Sequence, residues 1–159
     1  MGRGIPHREN SPLLSREIFK RHLVLNERND GLLSIRVINL KNGDDHYLKF
    51  NDRTPTAYTG VNENFDTNIL RFSYSSMLTP GSIFDYNMDT REKTLLKQQE
   101  VVGGYDQDKY QDEIIYANAR DGQIIPIYLV KDPKKVLILI ILQVETLIII
   151  PCLLYTSDA

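Results

Sequence analysis

The feature that most constrains this chain is a series of short runs in which apolar and polar residues alternate, each followed by a turn signal such as Asn42-Gly43. The clearest run is Ile69–Ser75, with the sequence ILRFSYS. A period of two places successive side chains on opposite faces of a β-strand. Short strands separated by turn signals predict an all-β sandwich, barrel or propeller. We predict strands at 22–28, 33–37, 46–50, 69–75, 83–88 and 93–97.

The pattern changes after Gln99. The pair Gly103-Gly104 and the polar stretch 105–113 are typical of a connector, and two further strands are predicted at 114–119 and 124–130. Pro126 has no amide hydrogen to donate, so the second of these strands is expected at a sheet edge or with a bulge at that point. The change of composition near residue 97 is therefore a candidate domain boundary.

Composition excludes several classes of protein. The chain has 159 residues, enough for one ordinary domain or for a piece of a larger protein. Its 19 basic and 21 acidic residues give a net charge of -2, which lacks the basic footprint of a nucleic-acid partner. The single Cys152 cannot form an internal disulfide, and His7, His22 and His46 lack metal-ligand spacing. We expect no cofactor and no bound metal.

The apolar run 136–150 is the one candidate for a membrane segment. It has 15 residues and contains Gln143 and Glu145. A spanning helix needs about 20 mostly apolar residues, and a central glutamate is costly there. The run is better explained as a buried strand pair or as non-native sequence, so we expect no membrane partner. The N-terminus lacks the apolar core of a secretory signal.

No motif that carries chemistry is complete. Asp106, Asp108 and Asp112 have partial calcium-loop spacing, but a solvated acidic turn is favoured because the intervening residues do not fit. The pair Asp44-Asp45 is better explained by turn chemistry, since adjacent strand residues point to opposite faces. We predict no catalytic, cofactor-binding or metal-binding residue. Core packing is the expected role of the aromatic residues at strand spacing, which are Tyr47, Tyr58, Phe72, Tyr74 and Tyr86.

Several motifs, in order, carry a family resemblance. The segment Phe65–Asp106 resembles the prolyl oligopeptidase family of serine peptidases, and within it the oligopeptidase B (protease II) branch. The match continues over Tyr110–Val130 and extends more loosely upstream, so it covers about 17–132. The supporting motifs are Phe65-Asp66-Thr67, RFSYSS at 71–76, Thr79-Pro80, Met88-Asp89-Thr90, LLKQQEV at 95–101, Ala119-Arg120-Asp121-Gly122 and Pro126.

The resemblance implies a domain organisation. Members of the family join a seven-bladed β-propeller to an α/β-hydrolase domain. Residues 1–96 are then expected to form the last blades of the propeller, and 97–135 the start of the hydrolase domain. Residues 136–159 depart from the family, which we interpret as a frame error or truncated read, with an inserted native segment as the alternative.

The resemblance also implies an activity for the longer protein. It would be a cytoplasmic serine oligopeptidase that hydrolyses short peptides, preferably after Arg or Lys. In the family the catalytic Ser, Asp and His lie farther downstream, and Tyr155 matches only the first Tyr of an oxyanion motif. This chain would supply the propeller wall that limits access, and the hinge at Gln98-Gln99-Glu100. We expect it to lack peptidase activity and to self-associate through open sheet edges.

The rival hypothesis is a non-enzymatic β-propeller or β-sandwich interaction module. Composition does not separate the two hypotheses. The segment Gln98-Gln99-Glu100 and the hairpin around Ala119–Gly122 favour the enzyme, because a plain propeller would continue with another blade.

Overall fold

The computed structural model describes residues 8, 11–29, 32–122, 124–134 and, as backbone, 137–142. Within these ranges the chain forms β-strands and one short 3₁₀ turn, Gln107–Lys109. The strands are β1 (Leu13–Ile18), β2 (His22–Asn29), β3 (Leu32–Asn39), β4 (Asp45–Tyr47), β5 (Thr56–Thr59), β6 (Ile69–Ser75), β7 (Ser82–Asn87), β8 (Lys93–Gln98), β9 (Gln111–Asn118), β10 (Ile124–Asp132) and β11 (Leu137–Leu142).

The strands form three antiparallel sheets. The first sheet has the order β1-β2-β3-β4, the second β5-β6-β7-β8, and the third β11-β10-β9. The chain divides into two compact units. The first holds the described residues of Met1–Asn51, Pro55–Ser75 and Gly81–Gln99, and the second holds those of Asp52–Thr54, Ser76–Pro80 and Glu100–Ala159.

The first unit has one apolar core, built from both of its sheets. In β6, Leu70, Phe72 and Tyr74 are buried, as the alternation predicts, and the register places Tyr86 opposite Leu70. Burial of each such side chain contributes about 1.5–3 kcal/mol. The core consists of Phe19, Val24, Ile35, Val37, Leu48, Ala57, Leu70, Phe72, Tyr74, Tyr86 and Met88.

Most predicted strands are confirmed, and two strands were missed. The bounds of β6 match the prediction, whereas the strand predicted at 46–50 ends at Tyr47. The missed strands are β1 and β5. The sequence of β1 has the adjacent Leu13 and Leu14, which break alternation, and β5 has only 4 residues. Both strands are specified by pairing with a neighbour rather than by their own pattern.

The two faces of β3 separate as expected, but both are buried. Ile35 and Val37 contribute to the core, while Arg36 lies on the opposite face and is only 6% exposed. Alternating polar residues in a strand usually indicate a solvated face. Here the polar face is covered, so the arginine must be paired.

The second unit contains the sheet of β9, β10 and β11. Pro126 lies opposite Tyr116 of β9, and pairing with β11 begins at Ile127. β10 is the central strand of this sheet and its register with β9 is regular through Pro126, so the expected edge position or bulge is wrong for this strand among the described residues. Part of the apolar run forms β11, which gives one strand of the expected buried pair. The rest of the run and Tyr155 lie outside the described residues.

Within the described ranges, no helix has the length and apolar character required to cross a membrane.

Candidate functional site

Three clusters of polar side chains are candidates for functional sites. The first, which we call the charged cluster, lies on the face of the first sheet opposite the apolar core. Arg36 donates from Nε to Asp45 Oδ1 at 2.7 Å and also pairs with Asp45 through Nη2. Its Nη1 lies 3.4 Å from Glu27 Oε1. Tyr47 donates to Glu27 Oε2 at 2.5 Å, and Arg8 donates to the Tyr47 hydroxyl at 2.8 Å.

Electrostatics fix the charge state of this cluster. The hydrogen bonding of Arg36 to Asp45 is the main cause that raises the pKa of Arg36, against a smaller opposing effect of burial. The same hydrogen bond lowers the pKa of the Asp45 carboxyl. A buried charge is tolerated when it is paired and its hydrogen bonds are satisfied. The cluster is thus a fixed ionic network with no free base or nucleophile among these groups.

The second cluster, which we call the seam, joins turns and strand ends of the first sheet to those of the second. His22 at the start of β2 is fully buried, and its Nε2 lies 3.2 Å from Asp89 Oδ1 in the turn after β7. His46 in β4 has its Nε2 2.8 Å from the Tyr86 hydroxyl in β7. The seam consists of His22, Asp44, His46, Tyr86, Asp89 and Arg91.

Arg91 holds the seam from the turn that joins β7 to β8. Its φ is 66°, a left-handed conformation that is rare for a residue with a Cβ. Its Nη2 donates to both oxygens of Asp44, at 2.9 Å and 2.8 Å. These hydrogen bonds lower the pKa of Asp44. The seam therefore combines a strained turn with a pair of charges that spans the two sheets.

The third cluster, which we call the loop clasp, belongs to the second unit. One oxygen of Asp112, Oδ2, accepts from Arg53 N at 2.8 Å, Thr54 N at 3.2 Å and Thr54 Oγ1 at 3.2 Å. Asp52 accepts from the hydroxyls of Ser76 and Thr79 at 2.5 Å and 2.6 Å. Two carboxylates thus fix the segments 52–54 and 76–80 within the second unit.

The structure separates the aspartates with partial calcium-loop spacing. Asp106 caps the 3₁₀ turn by accepting from Asp108 N, whereas Asp112 serves the loop clasp. In the ranges that the structure describes, no group of three or more His, Cys, Asp or Glu side chains is arranged to hold a metal ion. Asp44 and Asp45 also diverge, since Asp44 binds Arg91 and Asp45 binds Arg36.

The predicted aromatic roles are confirmed in part. Phe72, Tyr74 and Tyr86 are in the core, but Tyr58 is exposed and Tyr47 is part of the charged cluster. The histidine partners are polar side chains rather than a serine nucleophile: Asp89 and Asn39 for His22, Tyr86 and Asp44 for His46. His7 lies outside the described residues.

Sequence reasoning missed Glu27 and Arg36 as a buried pair. The only signal is a charge at Arg36 between the apolar Ile35 and Val37, since Glu27 lies at the polar end of β2. Which charges pair depends on register, and the sequence pattern alone does not specify register between the two strands.

Comparison with known proteins adds a family assignment. The model of the prolyl oligopeptidase N-terminal β-propeller domain matches residues 2–99. The chain is 38% identical over 127 residues to dipeptidyl aminopeptidase BI from Pseudoxanthomonas mexicana, covering 79% of this chain and 17% of that protein. It is 30% identical over 108 residues to Protease 2 from Moraxella lacunata, covering 68% of this chain and 15% of that protein. The chain thus spans less than a fifth of either relative.

Solved structures show the same relationship. Oligopeptidase B from Trypanosoma brucei, in a closed form with covalently bound antipain, superposes with a TM-score of 0.73 at 29% identity, covering 82% of this chain and 20% of that one. Oligopeptidase B from Leishmania major shares the fold, with a TM-score of 0.71 at 24% identity, covering 81% of this chain and 19% of that one. With 2–99 matched by the propeller model, this chain belongs to the prolyl oligopeptidase family and is similar to oligopeptidase B.

Proposed function

We propose that the chain is part of a serine oligopeptidase that hydrolyses short peptides, and that it supplies the propeller wall and the hinge. One observation carries the proposal: the similarity to a peptidase continues past the propeller. The propeller model ends at residue 99, whereas the match to dipeptidyl aminopeptidase BI extends over 127 residues. The hypothesis of a non-enzymatic propeller does not explain why the similarity to a peptidase continues beyond the propeller domain.

The proposal includes a division of the chain. Residues 1–96 are the last blades of a seven-bladed propeller, and 97–135 begin an α/β-hydrolase domain. The two four-stranded meander sheets support the first part, because a propeller blade is a four-stranded antiparallel sheet. The division into compact units between Gln99 and Glu100 is consistent with a joint near Gln98-Gln99-Glu100.

The chemistry proposed for the longer protein is acyl transfer. A serine attacks the peptide carbonyl, a histidine accepts its proton, an aspartate orients the histidine, and hydrogen-bond donors stabilise the oxyanion. Residues beyond this chain would supply those groups. The propeller contributes by excluding large substrates, so that only short peptides reach the reacting serine. A cytoplasmic location is part of the proposal.

Cleavage after Arg or Lys is the proposed preference, supported by the similarity to oligopeptidase B and Protease 2. A second candidate is the removal of dipeptides from amino termini, which the 38% identity to a dipeptidyl aminopeptidase favours. The two activities differ in one measurable property, because an aminopeptidase needs a free amino terminus on its substrate.

The test uses the protein encoded by the complete gene. Paired fluorogenic dipeptides with Arg at the cleaved position, one with a free and one with a blocked amino terminus, separate the two candidates. We expect turnover of the blocked substrate, covalent labelling of one serine by a phosphonate, and loss of activity as peptide length grows. The 159-residue chain is the matched control and should show neither turnover nor labelling. Absence of both turnover and labelling in the complete protein would support the rival hypothesis of a non-enzymatic interaction module.

A further inference from the structure

We propose that the seam is an acid-sensitive latch, which joins the first and second sheets while His22 and His46 are neutral and loosens when both imidazoles are protonated. The inference is independent of the peptidase proposal, because it rests on contacts within the first unit. Regulation by pH is a role for which histidine is suited, since it changes charge between about pH 5 and 8.

The seam is made of side chains rather than of a shared backbone ladder. The two sheets have separate hydrogen-bond ladders. At their turns the side-chain connections are His22 to Asp89, Arg21 to Asp89, His46 to Tyr86 and Arg91 to Asp44. One backbone hydrogen bond, from Lys20 N to Phe65 O, lies nearby. Two of the four side-chain connections include an imidazole, so part of the attachment at this end depends on its charge.

His22 is poorly suited to carry a proton on both nitrogens. Its side chain is fully buried, Nε2 faces Asp89 Oδ1 and the Asn39 amide, and Nδ1 has no hydrogen-bond partner among the described residues. Protonation would place a donor at Nδ1 with no acceptor, and a buried unsatisfied donor is unfavourable. The charged groups that face His22 are Asp89 and Arg21, with Asp44 farther away.

His46 meets a different obstacle. The Tyr86 hydroxyl can donate to a neutral Nε2, whereas a protonated Nε2 must donate to that oxygen, so the hydroxyl hydrogen must rotate away and lose its acceptor. Its Nδ1 is 3.3 Å from Asp44 Oδ2, close enough for attraction but outside hydrogen-bond geometry. The charged groups that face His46 are Arg91, Asp44 and Asp45. The guanidinium of Arg91 repels a second positive charge here.

The aspartates raise the pKa of both histidines and so offset the effect of burial only in part, because they also accept from other donors. Asp89 Oδ2 accepts from Arg21 and Asn68, each at 3.3 Å, and both oxygens of Asp44 accept from Arg91. Burial is the largest effect on both histidines and lowers the pKa of each below its ordinary value. As the pH falls, histidines in the unfolded chain or in an opened seam therefore bind protons at a higher pH than histidines in the intact seam. The stability from the seam is complete above about pH 6.5 and is lost as the pH falls through the lowered values.

Hydrogen exchange of the 159-residue chain tests the latch. Protection factors, corrected for the intrinsic pH dependence, are compared between about pH 7.5 and 5.5. We expect segments 39–47 and 86–92 to lose protection by up to about tenfold per pH unit for each histidine, while 70–75 changes less. The double variant His22→Gln/His46→Gln should lose this response. An equal response in the double variant, or none in the parent chain, would overturn the proposal.

If the double variant fails to fold, a control variant and a second measurement on the parent chain still test the latch. Asp85→Asn removes the exposed pair with Arg71, outside the seam, and should keep the parent response. Titration of the imidazole resonances in the parent chain should give both histidines pKa values below the ordinary 6.5. A value at or above this for both histidines would contradict the latch.

Discussion

At the scale of single residues, buried charge distinguishes the first sheet. Arg36 and Glu27 have side chains that are 7% and 3% exposed, and they are joined at 3.4 Å. Charges at such depth are tolerated only as partners of each other. Removal of one partner is therefore expected to destabilise the fold strongly, although the intact pair adds little net stability.

Replacement of Arg36 tests this sensitivity. Arg36→Ala leaves Glu27 without its buried partner, and we expect a loss of about 3–5 kcal/mol in the free energy of unfolding. The control, Arg71→Ala, removes an exposed pair with Asp85 and should cost far less, because solvent screens such a pair. Urea unfolding at low protein concentration measures both. Equal losses in the two variants would show that the Glu27 charge is solvated.

At the scale of elements, aromatic side chains of the second sheet pack against one another. Phe72 of β6 lies 5.5 Å from Phe84 and 6.0 Å from Phe50 between ring centroids. Phe50 also stacks on Tyr74 at 4.7 Å. Phe84 of β7 and Phe50 from the segment after β4 thus both pack on side chains of β6. This strand is therefore central to the first unit.

Truncation of Phe72 is expected to weaken the whole first unit. Phe72→Ala removes a fully buried ring and should cost about 3–5 kcal/mol. Tyr58→Ala, on the adjacent β5, removes a ring that is half exposed and serves as the control. Thermal unfolding followed by circular dichroism compares the two. A similar fall in melting temperature for both would contradict the assignment of the core.

The loop clasp gives a prediction for the second unit. Asp112→Asn removes the negative charge from an acceptor of three hydrogen bonds, so the segment 52–54 should lose order. We expect faster hydrogen exchange at the amides of Arg53 and Thr54. Asp108→Asn, at an exposed position of the 3₁₀ turn, should leave those amides unchanged. Unchanged exchange in the Asp112 variant would show that other contacts hold the segment.

At the scale of the whole molecule, apolar side chains remain exposed on terminal strands of the sheets. In β8, Leu95 and Leu96 are 50% and 47% exposed, and in β1, Leu13 and Leu14 are 45% and 51% exposed. Both strands are edges within the described sheets. Edge strands with unpaired backbone groups pair with other chains.

We therefore predict that the isolated chain self-associates. Deletion of residues 136–159 should reduce association only in part, because β1 and β8 remain as edges. Gel filtration and light scattering of both forms measure the effect. A full-length chain that elutes as a monomer and unfolds cooperatively would mean that the edges are protected in solution.

The sequence by itself determined the local elements and the family. The strand β6 follows from strict alternation, and its meander with β7 and β8 follows from turn residues such as Asp89-Thr90, which act over a few positions. The ordered motifs between Phe65 and Val130 indicated the prolyl oligopeptidase family, which the propeller match over 2–99 shows.

Tertiary structure decided which polar residues are buried and what they meet. Arg36 and His22 have the same local sequence pattern as solvated strand residues. Arg36 is buried because the second face of its sheet is covered, and His22 is buried because a second sheet approaches it. The strands β1 and β5 likewise depend on a neighbour. Alternation reports how side chains divide between two faces, whereas register and packing between distant segments determine which charges, imidazoles and hydroxyls come into contact.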